Sequence, residues 1–71
     1  MLKCNLRVLM AKQKIDTIQE LMKKSGLSRN AINNIYREEK LEGTKLETFI
    51  KLCDVFDCQL SDIIEYVPDE N

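Results

Sequence analysis

Residues 23–38, KKSGLSRNAINNIYRE, decide how this chain folds. Gly26 supplies the left-handed backbone that ends a helix at least cost, because no Cβ opposes a positive φ. Two residues on, Ser28 is a preferred N-cap whose hydroxyl accepts a backbone amide and contributes about 1 kcal/mol. One helix therefore stops and another starts across residues 25–28. The second helix carries Ile32 and Ile35 on its inside and Arg29, Asn30, Asn33 and Asn34 on its outside. Asn favours helix only weakly, and surface helices usually take Glu, Lys, Gln or Ala. An exposed face made of amides needs a reason beyond solvation.

Working outward, the period stays helical. Thr17-Ile18-Gln19-Glu20 reads as a capping box, in which hydroxyl and carboxylate satisfy backbone amides reciprocally. It opens a helix that turns Ile18, Leu21 and Met22 inward. Before it, Leu6, Leu9 and Met10 repeat at i, i+3, i+4, predicting a first helix over about residues 5–12. The helix that Ser28 opens runs to about Glu38, and residues 39–43, EKLEG, read as a polar loop. Thr44-Lys45-Leu46-Glu47 reads as a second capping box, opening a helix with Leu46, Phe49, Ile50, Cys53 and Phe56 inside. Asp57-Cys58 breaks it. A last short helix is expected from Leu60 to Tyr66, burying Leu60, Ile63 and Ile64, capped by Gln59 or Ser61 and stopped by Pro68. The final residues, DEN, are expected to be disordered. The alternative for the two ends is that MLKC and IEYV, both alternating apolar and polar, pair as a two-stranded ribbon. The prediction is a single compact all-α domain over residues 1–71 with five helices. Its central motif covers about residues 17–37 and its tail about residues 60–71.

Charge is divided along the chain. The total is −1, but residues 1–37 hold eight basic and two acidic side chains, whereas residues 38–71 hold three and ten. This division predicts a basic face for a polyanion and an acidic face elsewhere. Three cysteines, Cys4, Cys53 and Cys58, and no histidine argue against a disulfide framework and a zinc site. On a regular helix Cys53 and Cys58 would diverge by about 140°. The expectation is reduced thiols in the cytoplasm, two of them acting as small buried hydrophobes. No run approaches the roughly 18 apolar residues of a membrane span, and no signal-peptide core is present. No nucleophile with an evident base and no glycine-rich phosphate loop are found, so no enzyme, cofactor or metal is expected.

Two helices joined by a short turn containing Gly form a helix-turn-helix, whose second helix can lie in a DNA major groove. This gives the amide face a purpose. Arg bonds bidentately to guanine O6 and N7, and Asn to adenine N6 and N7. Arg29 and Asn30 stand in the first turn, Asn34 follows Asn30 one turn along, and Asn33 flanks the stripe; these four are the candidate base-reading residues. The amides at Ser28 add positive potential towards a phosphate.

The ordered set NLRVLM, LMKKSGLSRNAINNI, LETFIKLCDVFDC and LSDIIEY resembles the Cro/repressor-type (xenobiotic-response-element, Xre) helix-turn-helix family over almost the whole chain. Gly26 matches the family's turn glycine, and Leu21, Ile32 and Ile35 match its core positions. The resemblance implies a lambda-repressor-like five-helix fold, a two-fold dimer and recognition of a short operator in double-stranded DNA. Carried over by position, Arg29, Asn30 and Asn34 fall on base-reading places, while Tyr36, Arg37, Thr44 and Lys45 lie near places that commonly touch phosphate. Ser28 and Thr17, at the heads of their helices, join that phosphate set. Three departures stand out: Ile18 where a Gln is frequent, Met22 where a small Ala faces the turn, and Glu38, Glu39 and Glu42 in a loop that many members keep basic. The expected function is a homodimeric transcriptional repressor that blocks a promoter sterically. Its dimer surface is expected around Ile64, Tyr66 and Val67. The alternative is a protein-interaction module, such as an antitoxin or anti-regulator, that keeps the fold and offers its acidic half to a basic partner.

Overall fold

In the computed structural model, which describes residues 1–68, the chain runs β1 (Leu2–Cys4), α1 (Leu6–Lys12), α2 (Ile18–Ser25), α3 (Arg29–Tyr36), a 3-10 turn (Leu41–Gly43), α4 (Leu46–Phe56), α5 (Leu60–Ile63) and β2 (Ile64–Tyr66). The two ends meet. β1 and β2 pair antiparallel, with Leu2 opposite Tyr66, Lys3 opposite Glu65 and Cys4 opposite Ile64. The pairing extends at both ends, where the Val67 amide donates to Met1 at 2.8 Å and the Asn5 amide to Ile63 at 2.7 Å. The ribbon therefore forms, and the expected helix to Tyr66 gives way to it after Ile63. Residues 64–66 suit either state locally; β1 supplies backbone partners that a helix would leave unused.

Each helix contributes to one core. Leu6, Leu21, Ile32, Ile35, Leu52 and Ile63 are almost completely enclosed, each burial worth about 1.5–3 kcal/mol in transfer free energy. α2 packs on α3 and α4, α1 on α3, and α4 on α5. The Gln13 side chain ties the end of α1 to α4 by donating to the Phe56 carbonyl at 3.2 Å.

Several local expectations are corrected. Thr44 is not the N-cap of α4; its hydroxyl donates to the Lys40 carbonyl at 2.9 Å, and Lys45 occupies the N-cap of α4 without a side-chain bond. The inner stripe of α4 is Phe49, Leu52 and Phe56. Leu46 and Ile50 lie outside, 59% and 50% exposed, since Ile50 stands about 100° round the helix from Phe49. Leu41, expected in a polar loop, is buried and plugs the core beneath the 3-10 turn. At the head of α5 the Gln59 amide donates to the Asp62 carboxylate at 2.9 Å, so Gln59 rather than Ser61 is the cap. Pro68 follows a strand, not a helix. Residues 69–71, expected to be disordered, lie outside the described residues.

Candidate nucleic-acid interface

The α2–α3 turn is fixed from within. Gly26 adopts φ 74° and ψ 10°, and its amide donates to the Met22 carbonyl. The Ser25 hydroxyl donates to the Leu21 carbonyl at 2.7 Å and accepts the Leu27 amide at 3.1 Å. Leu27 then drops into the core between the two helices. Ser28 caps α3 as expected, accepting the Ala31 amide at 3.1 Å. Thr17 accepts the Glu20 amide at 3.1 Å, which is half of the expected capping box. In both caps the oxygen accepts from the backbone and the hydroxyl proton remains to donate outward.

Arg29 and Asn30 are exposed, while Asn33 and Asn34 are half-buried along the same helix. Among the described residues, no hydrogen bond or ion pair within the protein engages the side chains of these four. Asn30 and Asn34, with Ser28 and Ala31, form one wall of an open groove of about 510 Å³. The facing wall is Lys40, Gly43, Thr44, Lys45 and Thr48. Arg29 and Asn33 stand on α3 outside that groove, so the amide face divides into two flanks. Tyr36 ends the helix half-buried; the Arg7 guanidinium lies over its ring at 4.4 Å, and Arg7 Nε donates to its carbonyl at 3.3 Å. Arg37 beyond it is exposed.

None of the three loop glutamates lines the groove. Glu38 is turned to the ribbon, where its Oε1 accepts the Cys4 amide at 2.8 Å. Lys40 replaces them at the groove wall. A left-handed backbone (φ 55°) at Lys40 folds the loop back, and Thr44 fastens it through the Lys40 carbonyl.

Comparison with known proteins agrees with this geometry. Residues 5–69 match the family of Cro/C1-type helix-turn-helix DNA-binding domains. The chain belongs to the Cro/C1-type helix-turn-helix DNA-binding family. It is also similar to YozG of Bacillus subtilis (strain 168), described as an uncharacterized HTH-type transcriptional regulator, with 31% identity over 67 residues that cover 94% of this chain and 77% of that protein. The family is one of DNA-binding domains and not of enzymes. No helix among the described residues is long and apolar enough to cross a membrane.

Within this Cro/C1-type domain, Lys40 and Thr48 are groove residues that the sequence reading missed. Thr48 lies in the first turn of α4, three residues past the Lys45 N-cap, a signal that was available. Lys40 was hidden among acids, and only its backbone conformation brings it forward. Arg7 was likewise unassigned; it buttresses the end of α3 through Tyr36. Thr44 is brought to the groove, but its hydroxyl proton is committed to the Lys40 carbonyl. Ile64, Tyr66 and Val67 fall in or beside the ribbon, outside the α3 groove. Leu2, Leu60, Ile64 and Tyr66 surround a second, largely apolar groove with Gln59 and Ser61.

Proposed function

We propose that this protein is a sequence-specific transcriptional regulator, a homodimeric repressor that sets α3 of each copy into the major groove of a roughly palindromic operator. The observation that carries the reading is the amide and guanidinium face of α3, whose four side chains have no partner among the described residues although each can make bidentate or paired hydrogen bonds to base edges. Arg29 and Asn30 read bases at the first turn, Asn34 reads one turn along from within the groove, and Asn33 reads from the flank. Thr17, Ser28, Tyr36, Arg37 and Lys45 hold phosphates, with Thr44 acting by fixing the Lys40 loop. The similarity to an HTH-type transcriptional regulator of B. subtilis supports the regulatory assignment. Under this reading repression is steric, the bound dimer blocking polymerase or a competing regulator, and the protein works in the cytoplasm, where the DNA is.

Selection of bound duplexes from a random pool at low salt tests the reading. Enrichment of one palindromic sequence is expected, with affinity falling steeply between about 50 and 200 mM salt as phosphate-bound counterions are displaced. On the selected site Arg29→Ala should cost about 1–3 kcal/mol and relax the preference at one base pair. A pool that yields no sequence at any salt would refute it.

A second reading, a protein-interaction module, is favoured by one observation. Leu46 and Ile50 are exposed side by side on α4, next to Glu47 and within the acidic half of the chain. Under that reading a basic partner covers α4, and Leu46→Lys abolishes its capture while DNA selection fails.

A further inference from the structure

Three helices end by the same device. After α1, α3 and α4 a residue takes the left-handed conformation, Lys14 at φ 57°, Glu38 at φ 56° and Asp57 at φ 50°. The amide beyond it reaches back over the last turn: Ile15 to Met10 at 2.9 Å, Glu39 to Asn34 at 2.7 Å, and Cys58 to Cys53 at 3.1 Å. This closure brings the two flanking side chains together. At α1 the pair is Met10 and Ile15, both in the core. At α4 it is two cysteines. On a continuous helix they would diverge; the left-handed residue between them reverses that.

The backbone closure allows a covalent link. Bond lengths either side of the Cys58–Cys53 backbone contact hold the two Cα atoms within roughly 7 Å, about the limit that a disulfide bridges. Both thiols are free and half-buried. Cys58 also lines an open groove with Asn5, Val8, Lys12 and Asp62, which gives a small solute access to its sulfur. Among the described residues no group of three or more His, Cys, Asp or Glu side chains could hold a metal, so the chemistry is that of two sulfurs.

We propose that Cys53 and Cys58 form a dithiol site that hydrogen peroxide closes to an intramolecular disulfide, stapling the corner between α4 and α5. The Cys58 thiolate attacks one peroxide oxygen; the O–O bond breaks, hydroxide leaves and takes up a proton, and Cys58 becomes a sulfenic acid. The Cys53 sulfur then attacks Cys58 sulfur, the S–O bond breaks, and a second water departs. Two thiols lose two electrons and two protons, and the peroxide is reduced to two waters. Burial, together with Cys53, Asp62 and Asp57 nearby, pushes the Cys58 thiol up. It stays protonated near neutral pH, so the first step is slow and the staple answers sustained oxidation.

The test treats the full chain with excess hydrogen peroxide, alkylates remaining thiols, and maps peptides by mass. A Cys53–Cys58 disulfide with Cys4 alkylated is expected, reversed by dithiothreitol, with the urea midpoint of the oxidised protein raised and no rise in Cys53→Ser. Sulfinic acid at Cys58 with Cys53 still alkylable, or cross-linking through Cys4 with the other two thiols intact, would overturn the site. A disulfide that leaves the urea midpoint unmoved would overturn its role as a staple.

Discussion

The Ser28 hydroxyl accepts the Ala31 amide at 3.1 Å and sits in the wall of the α3 groove, so one oxygen caps the helix while its proton remains for a phosphate. Two substitutions separate these jobs. Ser28→Ala removes both, and should cost about 1 kcal/mol of stability in urea unfolding. Ser28→Asp keeps the cap and puts a favourable charge at the helix N-terminus. It also puts an anion where a phosphate must come. Its unfolding midpoint should stay at or above that of the wild type while DNA affinity falls about tenfold or more. Equal affinity in the Asp variant would mean that no phosphate approaches Ser28. At this scale the sequence was informative: the Ser28 cap, the Gly26 turn and the outward polar face were readable because each rests on local rules. Lys40 was not readable, since its place depends on a left-handed backbone that Lys seldom adopts.

Elements were readable where a single period held. α2 and α3 fall where capping and apolar spacing put them, and the Gly26 closure lies between. α4 was found, and Phe49 and Phe56 are enclosed as read, but Leu52 joins them whereas Leu46 and Ile50 face solvent. Apolar residues crowd that helix on more than one side, so spacing alone could not choose between stripes. Packing against α2 and α5 chooses. Leu52→Ala should therefore cost about 2–5 kcal/mol through lost burial and the cavity it leaves. Ile50→Ala should change stability by no more than about 0.5 kcal/mol, as an exposed helix position does. Urea unfolding of dilute protein compares them directly. A large loss for Ile50→Ala would show that something covers this face in solution. The end of the chain was ambiguous for a different reason. IIEY satisfies both helix and strand locally, and the decision belongs to a partner strand more than 60 residues away.

At the scale of the whole molecule, the basic and acidic halves of the chain are unequal partners for DNA, and one copy offers only one recognition helix. Two copies related by a two-fold axis would present two, about 34 Å apart, matching one turn of duplex. The contact proposed here joins the apolar grooves formed by Leu2, Leu60, Ile64 and Tyr66. Tyr66, 68% exposed on the ribbon, is its most prominent apolar side chain. Leu60→Asp tests this without attacking the fold. Leu60 is the first residue of α5, where a carboxylate is compatible with the helix dipole, yet buried against a second copy the same carboxylate would be desolvated and unpaired. Light scattering should give two chains per particle for the wild type and one for the variant, with unchanged helicity. On a palindromic site the variant should bind about a hundredfold more weakly, because the second half-site no longer benefits from the first. On an isolated half-site the two proteins should bind alike. A variant that remains dimeric would move the contact elsewhere, with the exposed Leu46–Ile50 face of α4 the next to substitute; a wild type that binds its palindrome as independent single chains would remove the dimer from the mechanism.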